Sequence, residues 1–185
     1  MVRKETPICE FNKPAVDFKL TGVDEKIYTL KDVKGENGLL VMFICNHCPY
    51  VKSIINKIIV QTKKLKNFGI NSVAIMANDT NQYEEDSFLN MQKISAAMNF
   101  SFPYLIDETQ QVAKKYGAIC TPDFFGYNKN LLLQYRGRLD SSKDKITDNI
   151  NEDLFNAMIE IAGTNKGPDK QMPSLGCSIK WKIGQ

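Results

Sequence analysis

Two short apolar runs separated by one amphipathic segment constrain the fold of this chain more than any other feature. The first run covers residues 39–44 and the second covers residues 70–77. Between them, apolar residues recur at helical spacing after Pro49, which suits a first helical turn, and Gly69 provides a stop. A strand, a helix and a strand in this order predict two parallel, buried strands joined by a right-handed crossover. Their carboxyl ends then lie at one edge of the sheet.

The remaining segments predict further strands and helices around this unit. Alternating apolar residues predict an N-terminal β-hairpin over residues 16–30, and a second hairpin is predicted around residues 128–130. Three more helices are predicted, and they span residues 83–98, 108–116 and 151–162. The expected divisions of the chain are an N-terminal segment over 1–14, a domain over 15–163 and a tail over 164–185.

Composition and charge narrow the classes of function. A hydrophobic fraction of 43% and a charged fraction of 24% are typical of a water-soluble globular domain. The net charge of +3 is too small to indicate nucleic acid as a partner. No apolar run approaches the roughly 20 residues of a membrane-spanning helix, so we expect no membrane partner. The basic residues at the start precede no apolar stretch, so we expect no signal peptide and a cytoplasmic location.

The chain contains five cysteines, and two of them form a Cys-x-x-Cys pair. In a reducing compartment, thiols are more often catalytic, buried or metal-binding than paired in structural disulfides. Cys45 and Cys48 lie where the first apolar run ends and the helix begins, and the helix N-terminus stabilises a thiolate there. We therefore expect Cys45 to project to solvent as a nucleophile with a lowered pKa. Cys48 is expected to be the more buried, resolving thiol.

His47, the only histidine of the chain, lies inside this pair. A cation beside a thiolate stabilises it, so His47 is a candidate for tuning the dithiol. A surface position without a role is equally compatible with the sequence. The loop over residues 78–80 follows the second apolar run and is a candidate wall of the same site.

Four motifs give the chain, from about residue 15 to residue 182, a resemblance to a known superfamily. The motifs span residues 45–51, 120–125, 136–140 and 176–182. With the predicted order of elements, they resemble the peroxiredoxin-like, AhpC/TSA-related branch of the thioredoxin-fold superfamily, the redoxins. The resemblance implies an α/β, thioredoxin-like fold with a central mixed β-sheet flanked by helices, an N-terminal hairpin extension and an irregular C-terminal tail that packs on the domain.

The resemblance also implies the surroundings of the dithiol. Pro122 is expected to be a cis-proline that faces the cysteine pair, and Thr121 is expected to offer backbone hydrogen bonds to a bound substrate cysteine. From the sequence alone, these two residues only break the chain before a strand. No organic cofactor and no resident metal is implied.

Two departures from neighbouring families bear on the activity. The attacking cysteine of peroxiredoxins aligns with Cys48, but the supporting threonine is replaced by Cys45, and the Thr121–Pro122 segment takes the place of the distant arginine. The leaving oxygen of a peroxide is then poorly stabilised, so we expect weak peroxidase activity. The buried aspartate of thioredoxin aligns with Leu39, so proton transfer at the dithiol needs another group.

Two further cysteines are candidate auxiliary thiols. Cys120 immediately precedes Thr121 and is either a small buried side chain or a participant in the chemistry. Cys177 lies in the tail and is expected to be accessible. A disulfide between Cys177 and either Cys45 or Cys120 is therefore an open possibility.

Three functions are compatible with the sequence. The first is a thiol–disulfide oxidoreductase that acts on protein disulfides and is recycled by an electron-donor redox protein. The second is a thiol peroxidase. The third is a metal-binding or redox-sensing protein in which Cys45, His47 and Cys48 hold a thiophilic ion with Cys120 or Cys177.

Overall fold

The computed structural model describes residues 2–142 and 150–183 and has an α/β architecture. The β-strands are β1 (Arg3–Glu5), β2 (Lys19–Gly22), β3 (Ile27–Thr29), β4 (Gly38–Phe43), β5 (Ile70–Met76), β6 (Tyr104–Ile106), β7 (Cys120–Thr121), β8 (Asp123–Asn128), β9 (Leu133–Tyr135) and β10 (Leu175–Ser178). The α-helices are α1 (Leu30–Val33), α2 (Pro49–Lys66), α3 (Phe88–Ala97), α4 (Gln111–Tyr116) and α5 (Asp153–Thr164). None of the helices in the described ranges is long and apolar enough to cross a membrane.

Most of these strands form one mixed sheet with the order β3-β2-β6-β5-β4-β8-β9. β4 and β5 are parallel, as the two apolar runs predicted. β8 lies on the other side of β4 and is antiparallel to it, with Phe43 opposite Asp123. This register brings the end of β4, which leads into Cys45, beside the Thr121–Pro122 segment at the start of β8.

The central strand β4 is buried on both faces of the sheet. On one face, Leu40 and Met42 belong to the apolar cluster that includes α2 and α5. On the other face, Leu39, Val41 and Phe43 belong to the cluster that includes α4. Each fully buried side chain of this size contributes about 1.5–3 kcal/mol relative to exposure. Burial continues past the end of β4 through Ile44 and Cys45, so the first cysteine of the pair lies inside the protein.

Helix α2 begins and ends close to the predicted positions. Cys48 is its N-cap residue, with extended backbone at φ −67° and ψ 122°, and Pro49 occupies the first helical position. The helix ends at Lys66. Gly69 follows with a φ of +73°, a conformation that glycine adopts without strain. The helix axis therefore points its N-terminus at the cysteine pair.

The helix predicted over residues 83–98 is wrong in its first turn. Glu84–Asp86 form a 3-10 turn, and α3 begins after it. Asp86 is not part of the α-helix, because its carboxylate turns inward and accepts hydrogen bonds from the backbone N–H groups of Asn46 and His47. The shape of this turn is therefore tied to the cysteine pair.

The tail contains a strand that the sequence pattern did not predict. β10 is antiparallel to β1 on one edge and to β7 on the other, which makes a small three-stranded sheet. Gly176 is required there, because a Cβ atom at this position would lie 2.3 Å from the Thr121 carbonyl oxygen. Beyond β10, the single tryptophan of the chain, Trp181, is 37% exposed, and the Lys114 ammonium lies 5.8 Å from its ring centroid.

Candidate active site

Cys45 and Cys48 lie at the carboxyl edge of the central sheet, between β4 and α2. Both side chains are buried, since Cys45 is 1% exposed and Cys48 is 0% exposed. The expected burial of Cys48 is confirmed, but the prediction that Cys45 projects to solvent is wrong. The side chain of Thr121 and the turn that carries Asp86 lie against Cys45 and cover it.

The sulfur of Cys48 is surrounded by hydrogen-bond donors. The Cys45 thiol has the largest effect, and the backbone N–H of Val51 and the thiol and N–H of Cys177 add to it. Together they outweigh burial and lower the pKa of Cys48 from 9.0 to about 4. Val51 belongs to the first turn of α2, so the helix N-terminus contributes to the thiolate. When protonated, the Cys48 thiol donates to the Thr121 carbonyl, 3.1 Å away.

The surroundings of Cys45 raise the pKa of its thiol, whereas those of Cys48 lower the pKa of that thiol. Burial raises its pKa most, and the hydrogen bond to Cys48 and the negative charge of Asp86 raise it further. The Thr121 hydroxyl, 3.1 Å from the Cys45 sulfur, partly opposes these effects. The pair therefore shares one proton, which Cys45 carries. The prediction that Cys45 has the lowered pKa is wrong.

Asp86 contributes a buried carboxylate that none of the sequence motifs indicated. Its Oδ1 accepts hydrogen bonds from the backbone N–H groups of Asn46 at 2.7 Å and His47 at 3.1 Å. Its Oδ2 accepts from the Asn78 amide at 2.8 Å and pairs with His47 Nδ1 at 2.5 Å. Burial raises the pKa of Asp86, but these hydrogen bonds outweigh it and hold the pKa below its ordinary value of 3.8. A fixed negative charge therefore lies beside Cys45.

The imidazole of His47 is held between Asp86 and Tyr83. Since Asp86 is ionised, the His47 Nδ1–H donates to it. Tyr83 stacks on the ring, with centroids 4.6 Å apart and planes inclined by 23°. His47 Nε2 is buried and has no hydrogen-bond partner among the residues that the structure describes. The carboxylate and the stacked ring thus fix the orientation of the imidazole. The tuning role of His47 stays a prediction.

The structure brings together only part of the predicted set of metal ligands, namely Cys45 and His47, and adds Asp86 to them. The ligand atoms of Cys45, His47 and Asp86 lie within 4.8 Å of one another, and these residue types can coordinate a cation. Both Asp86 oxygens already accept N–H hydrogen bonds, which a cation would have to displace. The thiols of Cys48 and Cys177 face each other outside this group.

Thr121 and Pro122 contact the dithiol, but one implied role of Thr121 is wrong. The Thr121–Pro122 peptide bond is cis, as the resemblance implied. The hydroxyl of Thr121 reaches Cys45 and its carbonyl reaches Cys48. The backbone of Thr121 is not open to a substrate, however, because β10 pairs with it and places Cys177 directly opposite.

The two auxiliary cysteines occupy different positions. Cys177 is 3% exposed, so its expected accessibility is wrong, and it lies beside Cys48 rather than Cys45 or Cys120. It is buried because β10 lies between β1 and β7. Cys120 is fully buried, and its thiol donates to the carbonyl of Pro122 at 3.8 Å. Burial raises the pKa of Cys120 far above its ordinary value.

A small pocket reaches the cysteine pair at Cys45. It has a volume of about 210 Å³ and borders Cys45. Its lining also includes Asn46, Lys52 and Asn56. Most of the lining is apolar and comes from the residue after β4, from α2, from α3 and from the residues that follow α3: Ile44, Val51, Ile55, Ile94, Met98 and Phe100. A substrate that enters here meets Cys45 before Cys48.

Comparison with known proteins agrees with this architecture. The chain is similar to an uncharacterized conserved protein from Geobacillus kaustophilus, with 40% identity, a TM-score of 0.93, and coverage of 100% of this chain and 99% of that one. It is also similar to a hypothetical protein from Sinorhizobium meliloti, with 33% identity, a TM-score of 0.89, and coverage of 97% and 98%. No curated protein matches the chain.

More distant neighbours identify the fold. A thiol:disulfide interchange protein of the thioredoxin family from Chlorobium tepidum has a TM-score of 0.61 and 18% identity, with coverage of 82% of this chain and 96% of that one. At this identity the likeness concerns the fold alone, which is therefore the thioredoxin fold. Residues 11–142 match the AhpC/TSA family. The chain belongs to this family of thioredoxin-fold redoxins.

Proposed function

We propose that this protein is a thiol–disulfide oxidoreductase that uses Cys45 and Cys48 as its redox dithiol. The observation that carries the proposal is the geometry of the pair at the first turn of α2, where the Thr121 hydroxyl lies 3.1 Å from the Cys45 sulfur and the Thr121 carbonyl oxygen lies 3.1 Å from the Cys48 sulfur. Two thiols three residues apart have pKa values shifted in opposite directions, so one is protonated and the other is a thiolate. Membership of a redox family supports the same class of chemistry.

The first step is attack by Cys45 on a substrate disulfide. Cys45 borders the pocket, whereas Cys48 lies behind it. A ring nitrogen of His47 and an oxygen of Asp86 lie within 4.8 Å of the Cys45 sulfur. The His47–Asp86 pair takes the Cys45 proton, the sulfur forms a mixed disulfide, and the first substrate sulfur leaves and recovers the proton.

The second step uses the thiolate that is already present. Cys48 attacks the Cys45 sulfur of the mixed disulfide and expels the second substrate sulfur as a thiolate, which takes a proton from water. A Cys45–Cys48 disulfide remains, and the substrate has gained two electrons. The backbone N–H of Val51 and the thiol and N–H of Cys177 still stabilise the Cys48 thiolate at this step, so Cys48 needs no separate base.

The substrate and recycling partner are part of the proposal. We propose an exposed disulfide of a protein or peptide as the substrate and a dithiol redox protein as the electron donor, with the reaction set in the cytoplasm. The pocket admits a side chain or a short loop to Cys45, and its apolar lining suits residues that flank a disulfide. The site chemistry requires no organic cofactor.

Reduction of insulin by dithiothreitol tests this proposal. Wild-type protein should accelerate the reaction, and Cys45→Ser and Cys48→Ser should both return it to the uncatalysed rate. Cys9→Ser is the matched control, because Cys9 is also buried but belongs to the apolar cluster on the other face of the sheet. An absence of acceleration by the wild type, or full activity in Cys45→Ser, would exclude the dithiol mechanism.

A thiol peroxidase is the second candidate, and the stabilised thiolate of Cys48 favours it. The thiolate would attack a peroxide oxygen, form a sulfenic acid and release an alkoxide or hydroxide. Arg136 does not assist this step, because its guanidinium is bound to Asp123 and to the carbonyl of Gly117. Saturable consumption of hydrogen peroxide that is lost in Cys48→Ser but not in Cys9→Ser would establish this activity. Slow, stoichiometric oxidation would exclude it.

A further inference from the structure

We propose that Cys177 is a third redox thiol of the site and that Cys48 forms alternative disulfides with Cys45 and Cys177. The proposal rests on the proposed function, because the Cys45–Cys48 disulfide is the species that Cys177 attacks. It assigns a chemical role to β10, which otherwise only closes the edge of β7.

The register of β10 places Cys177 at the dithiol. Cys177 lies opposite Thr121, whose carbonyl oxygen is 3.1 Å from the Cys48 sulfur. Both the thiol and the backbone N–H of Cys177 form hydrogen bonds with Cys48. The absence of a side chain at Gly176 lets β10 approach this close to Thr121. Cys48 therefore has a thiol partner on each side.

Cys120 shows that proximity alone does not define this arrangement. It lies next to Thr121 and opposite Ser178, one position along the same pair of strands. Its thiol donates to the Pro122 carbonyl instead of to Cys48. Since adjacent residues of a strand point to opposite faces, Cys120 and Thr121 project in opposite directions. Cys120 is thus a matched control for Cys177.

The exchange conserves electrons and needs no external oxidant. The Cys177 sulfur attacks the Cys48 sulfur of the Cys45–Cys48 disulfide, the Cys48–Cys177 bond forms and the Cys45–Cys48 bond breaks. The proton released by Cys177 goes to the departing Cys45 sulfur. Burial and the charge of Asp86 favour the protonated form of Cys45, so the proton is held there.

The exchange would place the attacking thiol and the stored disulfide at two different positions in the site. Cys45 returns to the thiol form at the wall of the pocket, while the disulfide is stored between α2 and β10. The stored disulfide ties the tail strand covalently to the first turn of α2. Return of the disulfide to Cys45 by the reverse exchange then makes it available to the recycling dithiol.

Disulfide mapping of the full chain tests the proposal. The reduced protein is oxidised with diamide, free thiols are trapped with N-ethylmaleimide, and peptides are analysed by mass spectrometry without reduction. In Cys45→Ser we expect one disulfide, between Cys48 and Cys177, in most molecules. Cys45→Ser/Cys120→Ser should give the same result, and Cys45→Ser/Cys177→Ser should keep its thiols free. The oxidised wild-type sample should contain two populations of molecules, one with the Cys45–Cys48 bond and the other with the Cys48–Cys177 bond.

Two results would overturn the proposal. One is a Cys45→Ser protein that circular dichroism shows to be folded, but in which N-ethylmaleimide still labels both Cys48 and Cys177 after oxidation. The other is a wild-type map that contains the Cys45–Cys48 bond alone. Either result leaves the insulin assay unaffected, so the oxidoreductase proposal would stand. Conversely, a Cys48–Cys177 bond in a protein without disulfide reductase activity would refute the proposed function only.

Discussion

The two sides of the Cys-x-x-Cys pair have opposite electrostatics. On the Cys48 side, the first turn of α2 and the strand β10 supply N–H and thiol donors to one sulfur. On the Cys45 side, the turn that carries Asp86 supplies a buried negative charge. Only two residues separate the cysteines, yet the pKa values of their thiols move in opposite directions. The surrounding elements, rather than the spacing of the motif, decide which thiol ionises.

Titration of the thiolate absorbance tests this comparison most strongly. In the reduced wild type, we expect one thiolate to form with a midpoint near pH 4, far below the ordinary 9.0, because Cys48 receives several hydrogen bonds. Cys48→Ser should lose this transition. Cys45→Ala should move it upward, since the Cys45 thiol is the main donor and alanine supplies none. A single transition near pH 9 in the wild type would contradict the proposed asymmetry.

Asp86→Asn removes the charge on the Cys45 side. We expect the pKa of Cys45 to fall, because a negative neighbour no longer opposes its ionisation. We also expect the rate of reaction with oxidised glutathione, followed by stopped flow, to fall by about 10²-fold, because the base is lost.

Asp123→Asn is the matched control for this variant. Asp123 is another buried carboxylate, paired with Arg136, and burial raises its pKa to about 6. Its substitution should lower the free energy of unfolding and leave the reaction rate within about threefold of wild type. Equal loss of rate in the two variants would mean that any buried carboxylate near the site has the same effect.

The stability of the reduced protein should depend on pH through Cys48. The folded pKa of about 4 lies below the ordinary 9.0, so the ionised thiolate favours folding. This contribution is present in full above pH 9 and is lost as the pH falls toward 4. We expect the unfolding free energy of wild type minus that of Cys48→Ser to grow as the pH rises through this range. Urea denaturation under a phosphine reductant measures it, and a difference independent of pH would contradict the prediction.

Tyr83→Leu should have the smallest effect. The variant removes the ring that stacks on His47, an interaction of about 0.5–1.5 kcal/mol, and leaves the hydrogen bond to Asp86 in place. We expect a reduction of the glutathione reaction rate by less than about tenfold, with full recovery in Tyr83→Phe. A loss as large as that of Asp86→Asn would mean that stacking, not the carboxylate, orients the imidazole.

The sequence predicted correctly those secondary-structure boundaries that depend on neighbouring residues in the chain. The strand before Cys45, the start of α2 at Pro49 and the stop near Gly69 each depend on residues within a few positions, and all three are present. The family resemblance added the cis bond before Pro122, which local signals do not indicate. The position of the dithiol in the fold therefore follows from sequence.

The electrostatics of the site depend on contacts that are distant in sequence. Asp86 looks like the acidic first turn of a helix, and its contacts with Asn46 and His47, 40 and 39 residues away, turn it inward. β10 lacks an alternating pattern and forms because β1 and β7 supply a partner on each edge. Since these two elements cover and polarise the sulfurs, the exposure and pKa of Cys45 were predicted wrongly.

The position of Trp181 has a practical consequence. It is the only tryptophan of the chain, it is partly exposed, and it follows β10 by three residues. Ser178, the last residue of β10, comes directly after Cys177. The emission of this one indole is therefore an intrinsic, label-free optical reporter of any rearrangement of β10, in real time and at every step of a redox titration.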